Sequence, residues 1–313
     1  SQLTSKFGPN VDIKFEGGSK NNGAAITLNN STWNIDKTAA IIAKDINMYK
    51  GSKISTNLEY NYGKPATQNF SNVKLITSDG VNFKYEANGY LNNNNAKVLD
   101  AKPNVDYKIN IGDKNSTLAT DASISSGSVQ IVNNGTTANS KTNVNKAAIK
   151  GYKLINNAYG DIYLVGNEVA INDSTIEAYN THEVDKPSAN TYGKIGGTVS
   201  IKANNGIDIN NTTIKTPYST AQDNAGDITM QVAKAGNINV TNSTLNAKGS
   251  VNAVATNGKV NLKDSVLVAK NKEGSGQLED LLVYGSKGVD AQNVNLDADR
   301  NLTVQAPNGD VNI

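Results

Sequence analysis

One short pattern recurs through the second half of the chain, and it limits the fold more than any other feature. Four segments share one template: Val169-Ala-Ile171-Asn-Asp-Ser174-Thr-Ile176-Glu-Ala178, Ile207-Asp-Ile209-Asn-Asn-Thr212-Thr-Ile214-Lys-Thr216, Ile238-Asn-Val240-Thr-Asn-Ser243-Thr-Leu245-Asn-Ala247 and Val260-Asn-Leu262-Lys-Asp-Ser265-Val-Leu267-Val-Ala269. A looser copy runs from Val289 to Ala298. Repetition of this kind builds a column in which each unit buries its apolar side only by stacking on its neighbours.

Within each copy, apolar and polar residues alternate as in a half-buried strand. The alternation breaks once, at a polar pair such as Asn172-Asp173 or Asn210-Asn211. Two consecutive outward residues let the chain turn a corner and start a second strand with its apolar side still inward. A third strand precedes each copy (Val199-Ser-Ile201, Ile228-Thr-Met230, Val251-Asn-Ala253) and ends in a turn such as Asn205-Gly206 or Asn257-Gly258. Asn-Gly accepts positive φ at little cost.

The aligned Ser/Thr positions 174, 212, 243 and 265 are separated by steps of 38, 31 and 22. A bare coil of 22 residues leaves the excess to loop out, and polar stretches sit where it must: 180–196 and 217–225. The same spacing carries Val289 onto Val311. The expected fold is therefore all-β: a right-handed parallel β-helix with three short strands per coil and loop insertions, its hand following the bias of parallel crossovers.

The first residues obey the same grammar. Ala25 to Trp33 fits the template with Trp33 in an apolar slot, and Ile41 to Ile54 fits it with one residue inserted at the bend. The reading divides the chain into coils over 1–56, an irregular portion over 57–159, and regular coils over 160–313. In the irregular portion, Val73-Lys-Leu75, Val81-Asn-Phe83-Lys-Tyr85, Tyr107-Lys-Ile109 and Ser128-Val-Gln-Ile131 look like strands. They are either part of one column with long loops, antiparallel hairpins projecting from it, or a separate domain. A continuous column predicts about eleven coils and a rod of about 50–55 Å at about 4.8 Å per coil.

Composition narrows the function. Apolar residues make up 37% of the chain, which suits thin coils with exposed outer faces. The net charge of +2 gives no reason to expect nucleic acid or an anionic membrane surface as partner. There is no cysteine, so disulfide scaffolds and thiolate metal sites are excluded. No run is long and apolar enough to insert in a membrane. With no initiator Met or signal peptide, and with a strand pattern running to the last residue, the reading expects an internal segment of a longer protein.

Candidate chemistry is sparse. The single histidine, His182, stands near Glu183 and Asp185 without a second histidine or a cysteine, and the single arginine is Arg300. Asp161, Asp227 and Asp310 each follow glycine, where aspartate is common for conformational reasons. No catalytic, cofactor-binding or metal-binding residue is assigned and no cofactor is expected. A carbohydrate-active β-helix would instead need several carboxylates meeting in one groove. Tyrosine carries more signal: there are 13 Tyr against 4 Phe and 1 Trp. Exposed tyrosine is favoured at recognition surfaces, although it also pads loop bases. Tyr60, Tyr62, Tyr90, Tyr179, His182, Tyr192 and Tyr218 are the candidate receptor contacts.

The coil grammar over 160–313, with echoes at 24–56, resembles the haemagglutinin repeats of two-partner-secreted exoproteins, of the filamentous haemagglutinin and contact-dependent inhibition kind. The resemblance implies a β-helical filament outside the outer membrane of a Gram-negative bacterium, exported through an outer-membrane secretion partner. It implies a non-enzymatic adhesin or stalk that meets a protein or glycan receptor on a neighbouring cell; the chain itself is expected to be a monomer. The Asn-Pro-Asn motifs of that family's secretion domain are absent. Two other readings stay open: a carbohydrate-active enzyme, and a passive stalk without a ligand.

Overall fold

The computed structural model describes residues 2–4, 11–13, 25–35, 38–56, 72–78, 82–86, 102–153, 160–180, 197–217, 226–271 and 278–313. Among them there is no helix, and the strands pair almost entirely in parallel, each with the strand one coil before and one coil after it. The fold is a parallel β-helix with three sheets.

The stacking can be followed residue by residue. In the first sheet one inward column runs Ile26, Ile46, Ile109, Thr142, Val169, Ile207, Ile238, Val260, Val289, Val311. In the second sheet the corresponding column runs from Trp33 through Ile54, Ile124, Ile149, Ile176 and Ile214 to Leu245, Leu267 and Leu296. The third sheet stacks Ile41, Leu75, Ile131, Leu164, Ile201 and Met230 below Ala253, Val283 and Val304. Like residues stack on like, so the core is one apolar cylinder in which most members are fully buried.

Among the described residues this makes nine complete coils, with Val311–Asn312 opening another above them and Gln2–Thr4 stacked in parallel below Thr32–Asn34. The first sheet steps directly from Ile46 to Ile109. Residues 108–153 are regular coils, stacked in register on 45–77 below and on 162–180 above. Their sequence looks irregular because Ala122 and Ala147 fill the slot that Ser or Thr holds in the repeat, while the strand pattern itself is intact.

The Asn82–Glu86 segment behaves differently. It pairs antiparallel with Thr38–Ala43 (Ile41 opposite Phe83) and with Val11–Ile13 (Val11 opposite Tyr85), covering the first edge of the third sheet. A covered edge has no free row of N–H and C=O groups for other chains to pair with. At the opposite end Leu302 and Ile313 are 50% and 83% exposed, and Leu296 and Val304 are only partly buried against the core.

Candidate functional site

The three edges of the column differ in what they tolerate, and this places every candidate site. Between the first and second sheets the corner is tight. Asn30, Lys146, Asp173, Asn211, Asn242, Asp264 and Asn293 occupy it with φ of 44 to 53°. That left-handed conformation is strained for most residues and easiest for Asn and Asp, which is why the template carries a polar pair there. The side chains bond between coils, Asn211 Nδ2 donating to Asp173 Oδ1 at 2.6 Å and Asn293 Nδ2 to Asp264 Oδ1 at 2.7 Å. At Lys50 an extra residue, Gly51, follows with φ of 77°, the one-residue insertion legible in the sequence.

Directly after this corner comes the template's Ser/Thr, and its role emerges only from the structure. Each hydroxyl donates to the carbonyl two residues back: Ser174 to Asn172 O at 2.6 Å, Ser243 to Thr241 O at 2.7 Å, Ser265 to Lys263 O at 2.6 Å. Each also accepts a backbone N–H from the coil before. Ala147 N donates to Ser174, Ser174 N to Thr212, Thr212 N to Ser243 and Ser243 N to Ser265. The hydroxyls form a buried ladder that closes each turn and ties it to the next.

The edge between the second and third sheets is where chain length varies. Residues 57–71, 154–159, 181–196, 218–225 and 272–277 all interrupt the path from a second-sheet strand to a third-sheet strand. The coils between them cross the same edge briefly, by Gly127 or by residues 248–250. Tyr60, Tyr62, His182, Tyr192 and Tyr218 belong to these segments and lie outside the described residues. Tyr90 also lies outside them, in the segment from third to first sheet. Tyr179 is within Thr175–Asn180, paired with Tyr152 near that same edge.

A column of polar residues stands at this edge just before each third-sheet strand: Asp161, Thr198, Asp227, Ser250, Asp280, Asn301. The N–H of the next strand's first residue in the preceding coil bonds to each of their carbonyls in turn. The carboxylates alternate with donors. Thr198 N donates to Asp161 Oδ1 at 2.8 Å, Ser250 N to Asp227 Oδ1 at 2.8 Å and Asn301 N to Asp280 Oδ1 at 3.2 Å. Alternation keeps like charges two coils apart instead of one, where the Coulomb cost is larger. Asp310 does not belong to this column; it precedes a first-sheet strand, its carbonyl accepting Val289 N.

The upper part of this column gathers charge. Arg300 grips Asp280 through Nε at 2.8 Å and a terminal nitrogen at 2.7 Å, and its guanidinium pulls the Asp280 carboxyl down to about 2. Burial raises the carboxyls of Asp227 and Glu279 above their ordinary range. Ser250 links the two, its N–H on Asp227 and its hydroxyl on Glu279 Oε2 at 3.1 Å. Among the described residues no group of three or more His, Cys, Asp or Glu side chains is placed to hold a metal ion, and no helix is long and apolar enough to cross a membrane.

One cleft opens on the outer face of the first sheet, of about 320 Å³, lined by Tyr49, Asn110, Gly112, Asp113, Lys114, Asn143, Asn145 and Asn172. Its floor is a pair of asparagine columns. In one, Asn110 Nδ2 donates to Asn47 Oδ1 at 2.8 Å and Asn143 Nδ2 to Asn110 Oδ1 at 2.9 Å. In the other, Asn172 Nδ2 donates to Asn145 Oδ1 at 2.9 Å. Its wall is the residue 112–121 segment, which replaces the one-residue corner in the third coil. The Asp121 carboxylate, 1% exposed, holds that wall. It accepts Lys50 N at 3.0 Å, Asp113 N at 2.8 Å and Ser116 Oγ at 2.6 Å. The Tyr49 hydroxyl donates to Asn47 Oδ1 at 3.1 Å, and burial, then the Asp113 charge, push its ionisation up. Sequence reasoning passed over this cleft because Asn47, Asn110 and Asn143 sit 63 and 33 residues apart and meet only through coil register.

Comparison with protein-family models, with curated proteins and with solved structures returns no match for this chain.

Proposed function

We propose that this chain is a non-enzymatic segment of a large secreted bacterial surface filament, of the kind its haemagglutinin-like repeats suggest. It would serve as a rigid spacer that presents contact segments to a receptor on a neighbouring cell. The observation that carries the reading is where the chain lengthens most often: the segments bearing Tyr60, Tyr62, His182, Tyr192 and Tyr218 all depart from one edge of the column. The hydroxyl ladder and the tight first corner meanwhile keep the rod regular. A rod that varies along one edge presents a line of contacts without giving up its core.

Export through an outer-membrane partner and residence outside that membrane belong to the same proposal. A second reading rests on one observation. Asp227 and Glu279, both raised by burial and bridged by Ser250 close to Arg300, are the kind of carboxyl pair an acid–base glycan-cleaving site uses. Bracketing of coils accounts for the same bonds, so we favour the spacer.

The test replaces 181–196 and 218–225 with the short crossing that residues 248–250 already make in the seventh coil. Binding of the full chain to intact bacterial cells, lost in the replaced protein while its coils stay folded, is the expected result. Binding that survives the replacement rules out 181–196 and 218–225 as the contact surface, and binding that also survives the same replacement of 57–71 sinks the edge. Absence of binding by both forms leaves a passive stalk. Release of reducing ends from a polysaccharide, abolished by Asp227→Asn, would install the enzyme instead.

A further inference from the structure

The cleft beside Tyr49 contains hydrogen-bonding groups that the column itself does not use. Where an asparagine ladder continues, each carboxamide gives an N–H to the coil before and offers its oxygen to the coil after. The ladder through Asn47, Asn110 and Asn143 stops there, because the next coil places Ala170 opposite Asn143. Among the described residues, Asn143 Oδ1 therefore receives no donor. In the adjoining column Asn145 is only 8% exposed, yet its Nδ2 donates to no described residue, while its oxygen is taken by Asn172. Asn172 Oδ1 likewise has no described donor. Two acceptors and a two-proton donor thus belong to residues that line one small space.

The wall adds one charge of each sign, Asp113 and Lys114, on a segment fixed by the buried Asp121. A site whose walls are fixed before the ligand arrives spends little binding energy on ordering itself. Its polar groups alternate donor with acceptor and carry no net charge. A hydroxyl group matches that arrangement, since it donates to one neighbour and accepts from another. A pair of hydroxyls on adjacent carbons matches it twice. An apolar side chain would leave the Asn143, Asn145 and Asn172 amides unpaired, and a phosphate would meet a carboxylate beside the single lysine. The volume lies at the low end of the roughly 300–1,000 Å³ typical of ligand pockets, room for one ring with the rest of a chain outside.

We propose that this cleft binds a single sugar residue, at the end or branch of a glycan, through hydroxyls held by Asn143, Asn145 and Asn172 with Tyr49 and Asp113 beside them. The site is on the first sheet, away from the edge proposed above for receptor contact, so either can fail without the other.

The test uses the full chain and a panel of methyl glycosides of hexoses, deoxyhexoses and N-acetylhexosamines, read by saturation-transfer NMR and then by titration. Transfer to the ring protons of at least one glycoside is expected. Loss of one paired amide should weaken binding roughly tenfold in Asn145→Ala and in Asn143→Ala. Asn143 ends its ladder on the outer face, so its variant keeps the fold even if Asn145→Ala loosens a coil, as circular dichroism will show. Asn261→Ala, in a ladder outside the cleft, should bind like the unaltered chain. No transfer from any glycoside at millimolar concentration overturns the proposal. So does binding that is indifferent to both cleft substitutions, or displacement of the glycoside by a zwitterionic amino acid that pairs with Asp113 and Lys114.

Discussion

The backbone N–H of Thr212 donates to the hydroxyl of Ser243 at 3.1 Å across 31 residues of sequence, while the Thr212 hydroxyl accepts the Ser174 N–H across 38. One side chain therefore closes its own corner and holds the coil beneath it. Removing it exposes a requirement that the apolar core cannot meet. Ser243→Ala leaves the buried Thr212 N–H without an acceptor, a loss of about 1–3 kcal/mol. Ser243→Thr keeps the oxygen in a slot Thr212 already fills one coil earlier, so it should change stability little. Chemical denaturation of both variants checks the difference.

The corner residues make a second prediction from backbone geometry. Asn242 holds φ of 48° and its Nδ2 donates to Asn211 Oδ1 at 3.2 Å. Asn242→Gly relieves the steric cost and loses one exposed bond, so its stability should stay within about 0.5 kcal/mol of the parent. Asn242→Val forces a β-branched residue into the left-handed region and should cost about 1–3 kcal/mol. A larger loss in the glycine variant than in the valine variant would contradict the corner account.

Much of this architecture is legible in the sequence, and the limits are physical. Alternation and the polar pair reveal strands and corners because each is a local rule, as at Val169 to Ala178. Steps of 38, 31 and 22 are visible because the same Ser/Thr slot recurs, and they are the register the hydroxyl ladder adopts. Register fails to show where the slot is occupied by something else. Ala122 and Ala147 stand in it in the third and fourth coils, opposite Ser52 and Ser174. The strands around them therefore read as irregular although they stack without a break. The cleft was hidden for the same reason. Asparagine is scattered throughout the chain, and only stacking decides which ones share a column and which face the missing rung at Ala170.

Asp121 supplies a third prediction. Its buried carboxylate serves the Lys50 and Asp113 N–H groups and the Ser116 hydroxyl. Asp121→Ala leaves two backbone donors unpaired and should cost about 3 kcal/mol. It should also open the residue 112–120 segment to limited proteolysis while the seventh to ninth coils keep their protection from hydrogen exchange. Solenoid coils depend chiefly on their nearest neighbours, so the damage stays local. Uniform loss of protection along the rod would refute that locality.

The charged column at the variable edge predicts a pH dependence with two opposing limbs. Asp227 and Glu279 have carboxyls raised by burial, so the folded state favours their protonated forms. The stability they contribute is fully present below their unfolded values, near 4, and is lost as pH rises through the raised folded values. Asp280 runs the other way. Arg300 holds it at about 2, so its contribution is present above its unfolded value of 3.8 and is lost as pH falls toward 2. Asp227→Asn preserves an oxygen for the Ser250 N–H and removes the ionisation. The melting temperature of this variant at pH 7 should equal or exceed that of the parent. Its decline from pH 4 to neutrality should be shallower, and its acid limb unchanged. Arg300→Gln should move the acid limb upward in pH and, because the Arg300 charge also lowers the Glu279 carboxyl, steepen the neutral limb somewhat. Melting curves taken from pH 2 to 8 on the three proteins decide it. A flat profile in the parent, or an acid limb that ignores Arg300, would mean these carboxyls do not govern the stability of the upper coils.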